Sequence, residues 1–151
     1  MVSLSKLRNR TADRGEWVTI NEEEEPFQVS ILPLGSEFQD RHYEIKQAAA
    51  RRLNRGPRSG TRFYSADDIP PSEQNLALAK AIGEKVLVGV AGLSDDDGSA
   101  VTLEQMQALI QDPVYFRILV MIHAAALVLT SQASAEREDA AGNLHPASAG
   151  T

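Results

Sequence analysis

The chain has 151 residues, 42% hydrophobic and 24% charged, with a formal net charge of -6 and no cysteine. That length suits one domain with a real core. The missing cysteine excludes a disulfide framework, a thiolate metal site and a cysteine nucleophile, and the acidic balance argues against a duplex-binding surface. With only 5% aromatics, burial must come mainly from Leu, Ile, Val and Ala, which suits helix packing.

Residues 1–14 are polar and basic, with apolar side chains only at Val2, Leu4 and Leu7. They predict a flexible arm, and MVSLSKLRNR carries no apolar stretch of the kind a secretory signal needs. Trp17–Ile20 and Phe27–Leu32 are rich in β-branched and aromatic residues, the second alternating apolar with polar before Pro33. Between them Glu22 to Glu25 repel one another and must be solvated. The two segments predict a hairpin, which is marginal alone and has to lean on helices.

Ser36-Glu37-Phe38-Gln39 has the form of a capping box, with Ser36 as cap. Phe38, His42, Ile45, Ala49 and Leu53 follow at helical spacing, and Gly56-Pro57 ends the helix. Residues 56–68 predict a loop. Pro70-Pro71-Ser72 opens a second helix, with Leu76, Ala79, Ile82, Val86 and Val90 along one face. Its period begins well before the valines, so the expectation is helix to Gly92. Ser94–Ser99 is an acidic turn. Thr102 and Gln105 form a second capping box before a short helix carrying Leu103, Met106, Leu109 and Ile110. Asp112-Pro113 then starts a last helix, expected to run to about Gln132. Residues 133–151 are small, polar and punctuated by Pro and Gly, the composition of a disordered tail.

The reading is therefore mainly α (α+β): a small N-terminal β-hairpin packed on about four helices. The expected organisation is an arm at 1–14, a single domain at 15–132 and a loose tail at 133–151.

Ile118 to Leu129, interrupted only by His123, is the most apolar stretch. A membrane span takes about 20 apolar residues, so this segment reads as a buried helix or an oligomer interface rather than a membrane element. Ala124 to Ala126 would let another helix approach closely. Asp95, Asp97, Gly98 and Glu104 partly match a calcium loop, but the first ligand position holds Leu93, which favours an acidic turn and no metal site. Residues 1–62 hold 11 Lys/Arg against 9 Asp/Glu, and seven of those bases lie at Arg41, Lys46, Arg51, Arg52, Arg55, Arg58 and Arg62. That stretch reads as a solvated face, or as a contact for an acidic protein patch such as the second half of another copy. The three histidines are far apart in sequence, and no His-x-x-x-His, Gly-x-Ser-x-Gly or glycine-rich phosphate loop is present. No residue carries a catalytic signature, and no cofactor is implied.

The order of segments is similar to the tail assembly chaperone family of long-tailed (siphovirus-like) bacteriophages and prophages. The similarity rests on Gly15-Glu16-Trp17-Val18, the paired strands, the helix opening Glu37-Phe38-Gln39, and Leu93-Ser94-Asp95-Asp96-Asp97-Gly98. It continues through the Thr-capped helix, Asp112-Pro113-Val114-Tyr115-Phe116-Arg117, and a closing helix trailing into Glu136-Arg137-Glu138. The run Val88-Gly89-Val90-Ala91-Gly92 lacks the aromatic usual in that family, and the closing helix is more hydrophobic than the pattern. The resemblance implies a non-catalytic protein of the host cytoplasm that keeps the tape measure protein soluble, helps recruit tail tube subunits and leaves before the tail matures. On that reading Phe116, Leu119, Ile122 and Leu127 are the expected partner-binding residues, and homo-oligomers are compatible with it. Two other readings stay open: a structural virion protein of the tail or head–tail connector, and, weaker, a nucleic-acid-binding regulator using residues 41–62.

Overall fold

A computed structural model describes residues 15–55 and 63–143. The expected arm at 1–14, the Gly56-Pro57 stop with Arg58 and Arg62, and the end of the chain from residue 144 lie outside the described residues. In chain order the elements are β1 (Glu16–Ile20), β2 (Phe27–Ile31), α1 (Ser36–Arg55), α2 (Pro71–Lys85), β3 (Leu87–Ala91), α3 (Leu103–Leu109) and α4 (Phe116–Asn143). A single 3₁₀ turn, Pro113–Tyr115, leads into α4. Among the described residues the architecture is mixed α and β: one three-stranded antiparallel sheet, ordered β1-β2-β3, with four helices.

The hairpin forms where expected. Asn21 takes the positive φ of 60° that starts the turn, and Glu22 to Glu25 are all exposed. Alternation divides the sheet into two faces. Val18, Val29 and Val90 lie in register on the inner face, as do Ile20 and Phe27. Trp17, Ser30 and Gly89 form the matching outer row. A Cβ on Gly89 would stand 3.1 Å from the Trp17 ring and 3.2 Å from Ser30 Cβ, so a larger residue here would require the indole to shift by a few tenths of an ångström.

The third strand corrects the expected helix over Val86–Val90. The helix ends at Lys85, where the Val86 amide donates to the Ile82 carbonyl at 2.9 Å. The chain then turns onto the free edge of β2. The Leu32 amide donates to the Val86 carbonyl at 2.9 Å, and Leu87 pairs with Ile31, Gly89 with Ser30 and Val90 with Val29. A hairpin's second edge has unpaired amides and carbonyls, and a β-branched segment arriving beside it satisfies them. That long-range gain outweighs the helical period of the preceding residues.

Helix starts follow local chemistry. The first bond of α1 runs from the Gln39 amide to the Gly35 carbonyl at 3.1 Å, so Gly35 holds the cap position and Ser36, expected there, is already helical. Pro71 occupies the first turn of α2, where its missing N–H costs nothing. The second capping box is complete: the Gln105 amide donates to Thr102 Oγ1 at 3.1 Å, and the Thr102 amide to Gln105 Oε1 at 2.8 Å. Asp112 accepts from the Val114 amide at 3.0 Å and opens the 3₁₀ turn. Helix α4 runs well past Gln132 to Asn143, so the expected loose tail begins inside a helix.

Helix α1 packs lengthwise on α2, while α2 and α3 lie against β3 and α4 against β1. The core between sheet and helices holds Val29, Ile31, Ile82, Val86, Met106, Ile110, Leu119 and Ile122, each at most 1–2% exposed. Burying such a side chain is worth roughly 1.5–3 kcal/mol, so this cluster supplies most of the folding drive. Two side-chain bonds fix the helices relative to it. Gln107 Nε2 donates to the Gly83 carbonyl at 2.8 Å, joining α3 to α2. The Leu34 amide donates to Thr130 Oγ1 at 2.8 Å, and that hydroxyl donates to the Ala126 carbonyl at 2.7 Å, joining α4 to the loop after β2.

Candidate partner-binding surface

Helix α4 has two unlike faces. Leu119, Ile122, Ala126 and Leu129 recur at three- and four-residue steps and are buried. On the other side Phe116 is 43% exposed, Val120 46%, Leu127 48% and Val128 58%, with Ala124 exposed among them. Val114 and Tyr115, in the preceding turn, are exposed too. No Asp, Glu, Lys or Arg occurs between Arg117 and Glu136. A contiguous uncharged apolar strip of this kind is uncommon on a domain that meets only water.

The four expected contact residues therefore divide. Phe116 and Leu127 face outward and are available to a partner. Leu119 and Ile122 are corrected to the protein's own core, because α4 uses that edge to close the space above β1. The sequence reading missed Val120, Ala124 and Val128. Their signal was available only as spacing: they share a face with Leu127, but a helix apolar on every side does not reveal which face the sheet takes.

At its N-terminal end the strip meets a groove of about 480 Å³. Leu76, Ile110, Leu119 and Phe116 make its apolar walls, and Asn75 and Asp112 stand on its rim. It is an apolar groove with a polar edge around it. Arg117, just beyond, pairs with Glu24 of the hairpin turn at 3.2 Å, so the acidic turn borders the strip and frames it with charge.

Three of the five described bases of the α1 stretch are engaged in ion pairs within the molecule. Arg41 bonds Glu84 at 2.6 Å and Glu44 at 3.2 Å, Arg52 bonds Glu73 at 2.6 Å, and Lys46 lies 3.5 Å from Asp67. The Arg41 hydrogen bond holds the Glu84 carboxyl below its usual range. These pairs zip α1 to α2 and to the loop before it, and they leave a smaller basic surface than the sequence suggests. The Asp95 carboxylate is spent on the turn, accepting the Asp97 and Ser99 amides at 3.0 Å each. Among the described residues no three His, Asp or Glu side chains are grouped to hold a metal ion.

The fold brings two of the sequence-distant histidines within electrostatic reach of each other. His42 stacks on Phe38, ring centres 5.4 Å apart, and lies near enough to His123 of α4 to feel its charge. Burial depresses both pKa values below 6.5, with Lys46 and His123 adding to the effect on His42.

By length and composition α4 also satisfies what a membrane span needs: Pro113–Asp139 is 27 residues long, with a mean hydropathy of 1.8 in its most apolar window. Only 22% of that window is buried, so of the two expectations, a fully buried core helix or an interface helix, the first does not hold for most of it. What fold and surface define together is an α+β domain that presents one uncharged apolar helix face. The chain matches no family profile, no curated protein and no solved structure.

Proposed function

We propose that this protein acts without catalysis, by reversible contact between the outer face of α4 and an apolar helix of another protein. The observation that carries the reading is the exposure of Phe116, Val120, Leu127 and Val128 on a helix whose opposite side already fills the core. A protein with no need for a partner would bury or replace these side chains. A long client helix with apolar stripes aggregates when bare, and a charged-rimmed apolar face can cover it. The groove beside Phe116 would take one large client side chain, and Met121 at the strip's edge gives the contact room to repack.

Together with the order of segments, this supports a tail assembly chaperone that holds the tape measure protein soluble in the host cytoplasm and engages tail tube subunits. The engagement of Arg41, Lys46 and Arg52 in ion pairs weighs against the nucleic-acid regulator. The test is co-expression with the tape measure protein that this reading expects to be encoded beside it. Soluble tape measure should accumulate with the intact chain and be lost with Leu127→Asp, a change at an exposed position that spares the core. If the tape measure protein is equally insoluble with and without the intact chain, the proposal fails.

A further inference from the structure

The apolar strip on α4 is bounded by acid at both ends. At its N-terminal end Arg117 pairs with Glu24 of the hairpin turn at 3.2 Å, which brings that turn up to the start of the helix. The pair cancels the one base there, and Glu22, Glu23 and Glu25 of the same turn are exposed. At the C-terminal end helical spacing decides which acids share the strip's face. Val120, Leu127, Ser131 and Glu138 follow at steps of seven, four and seven residues, so they lie along one line of the helix, all exposed. Asp139 stands about three turns beyond Val128 and continues its line. The base Arg137 is turned about 100° from Glu138, off the strip. Between the two ends, residues 118–135 include no Asp, Glu, Lys or Arg.

An apolar strip alone does not choose among occupants, but the charge at its ends does. A helix with carboxylates at those places meets like charge. One with a charge between them must bury it, unpartnered, against Val120, Leu127 and Val128. A second copy laid on the strip in either direction brings its own acidic ends onto these. A helix with Lys or Arg at both ends is attracted at both, and the aliphatic stems of those residues lie on apolar surface while their heads reach the carboxylates. The spacing is set as well: Arg117 to Glu138 spans about 32 Å of helix.

We infer that the client segment is an amphipathic helix whose uncharged apolar stripe, roughly 20 residues long, carries a cluster of Lys or Arg at each end. The inference rests on the contact proposed above and specifies its partner. Because both ends of the strip are acidic, the client is selected by the spacing of its basic clusters and can lie in either direction. Apolar helices with acidic ends are rejected by repulsion, which supplies selectivity that the apolar strip lacks.

Dye-labelled synthetic helices test this. They share a Leu/Ala stripe of roughly 20 residues and differ in carrying Lys-Lys, Gln-Gln or Glu-Glu at both ends. Fluorescence anisotropy against the full chain should rank them Lys over Gln over Glu, with about tenfold between the first two at low salt. That margin should shrink in about 0.5 M salt. A further peptide with the same lysines moved to mid-stripe should bind no better than the Gln-flanked one, which separates placement from general attraction to an acidic protein. Glu22→Lys with Glu23→Lys, and Glu138→Lys with Asp139→Lys, change exposed positions. Each pair should remove most of the Lys margin while the circular dichroism stays helical. Leu127→Asp should abolish binding of every peptide. Equal affinity for the Lys- and Gln-flanked helices, both lost with Leu127→Asp, overturns the inference and leaves the contact standing. Tighter binding of the mid-stripe peptide than of the Gln-flanked one overturns it as well. If no peptide binds, or if Leu127→Asp changes nothing, the contact itself fails and the inference with it.

Discussion

Helices α2 and α4 invert the usual relation between composition and burial. Helix α2 is the more polar of the two, yet Ala77, Ala79, Ala81, Ile82 and Gly83 are all buried within it. It is enclosed by α1, α3 and β3, and its small residues are what allow three neighbours to approach. Helix α4 is far more apolar and leaves Phe116, Val120, Leu127 and Val128 exposed to solvent. Burial is decided by how many elements surround a helix, and apolar character beyond what those neighbours can cover is surface available for contact. The same comparison can be made within α4, between its sheet-facing and outer sides.

The sharpest way to break that contrast is to truncate one residue from each side of α4. Ile122→Ala should cost about 2–5 kcal/mol in urea unfolding, since a fully buried side chain leaves a cavity. Leu127→Ala, measured at low protein concentration, should stay within about 0.5 kcal/mol. Equal losses would mean that the outer face is part of the fold. For α2 the matching change is an enlargement: Ala81→Leu, at a position with no exposed surface, should lose about 1–3 kcal/mol through overpacking. A neutral result would show that α2 is less tightly enclosed than its neighbours suggest.

Thr130→Val keeps the shape of the α4 contact but removes the acceptor for the Leu34 amide. A partly buried donor left unpaired should cost about 1–3 kcal/mol. An unchanged melting temperature would sink the idea that this bond seats α4. The smallest effect concerns pH. His42 and His123 have folded pKa values below the ordinary 6.5, so the folded state resists their protonation more than the unfolded chain does. Their contribution is fully present above 6.5 and is lost as pH falls through that value toward the depressed ones. Melting temperature should therefore drop over this window, and the paired change His42→Gln with His123→Gln should flatten the drop. A slope identical to that of the unchanged protein would show that other groups set the acid response.

Much of the local structure was legible because it depends on residues within a turn or two of each other. The hairpin, the Thr102–Gln105 box, the Asp112-Pro113 start and the solvated Glu22–Glu25 turn are of this kind: each depends on hydrogen bonds or repulsions a few positions apart. The Gly35 cap was missed by one residue for the same local reason, since either Gly35 or Ser36 can cap and only the backbone distinguishes them.

The site was legible in part. Residues 113–132 announced an apolar surface, and two of the four chosen side chains, Phe116 and Leu127, do face outward. Leu119 and Ile122 could not be told from them, because a helix apolar on all sides carries no internal marker of the side its sheet will take. The amino-acid sequence by itself determined the content of the fold: where chains turn, where helices begin, and that apolar residues exceed what one small core needs. Only the tertiary structure decided that Leu87–Ala91 would join β2 as a strand, that His42 would come within electrostatic reach of His123, and which side of α4 would remain outside. Those outcomes rest on contacts between residues distant in the chain, whose free energies depend on which surfaces arrive together.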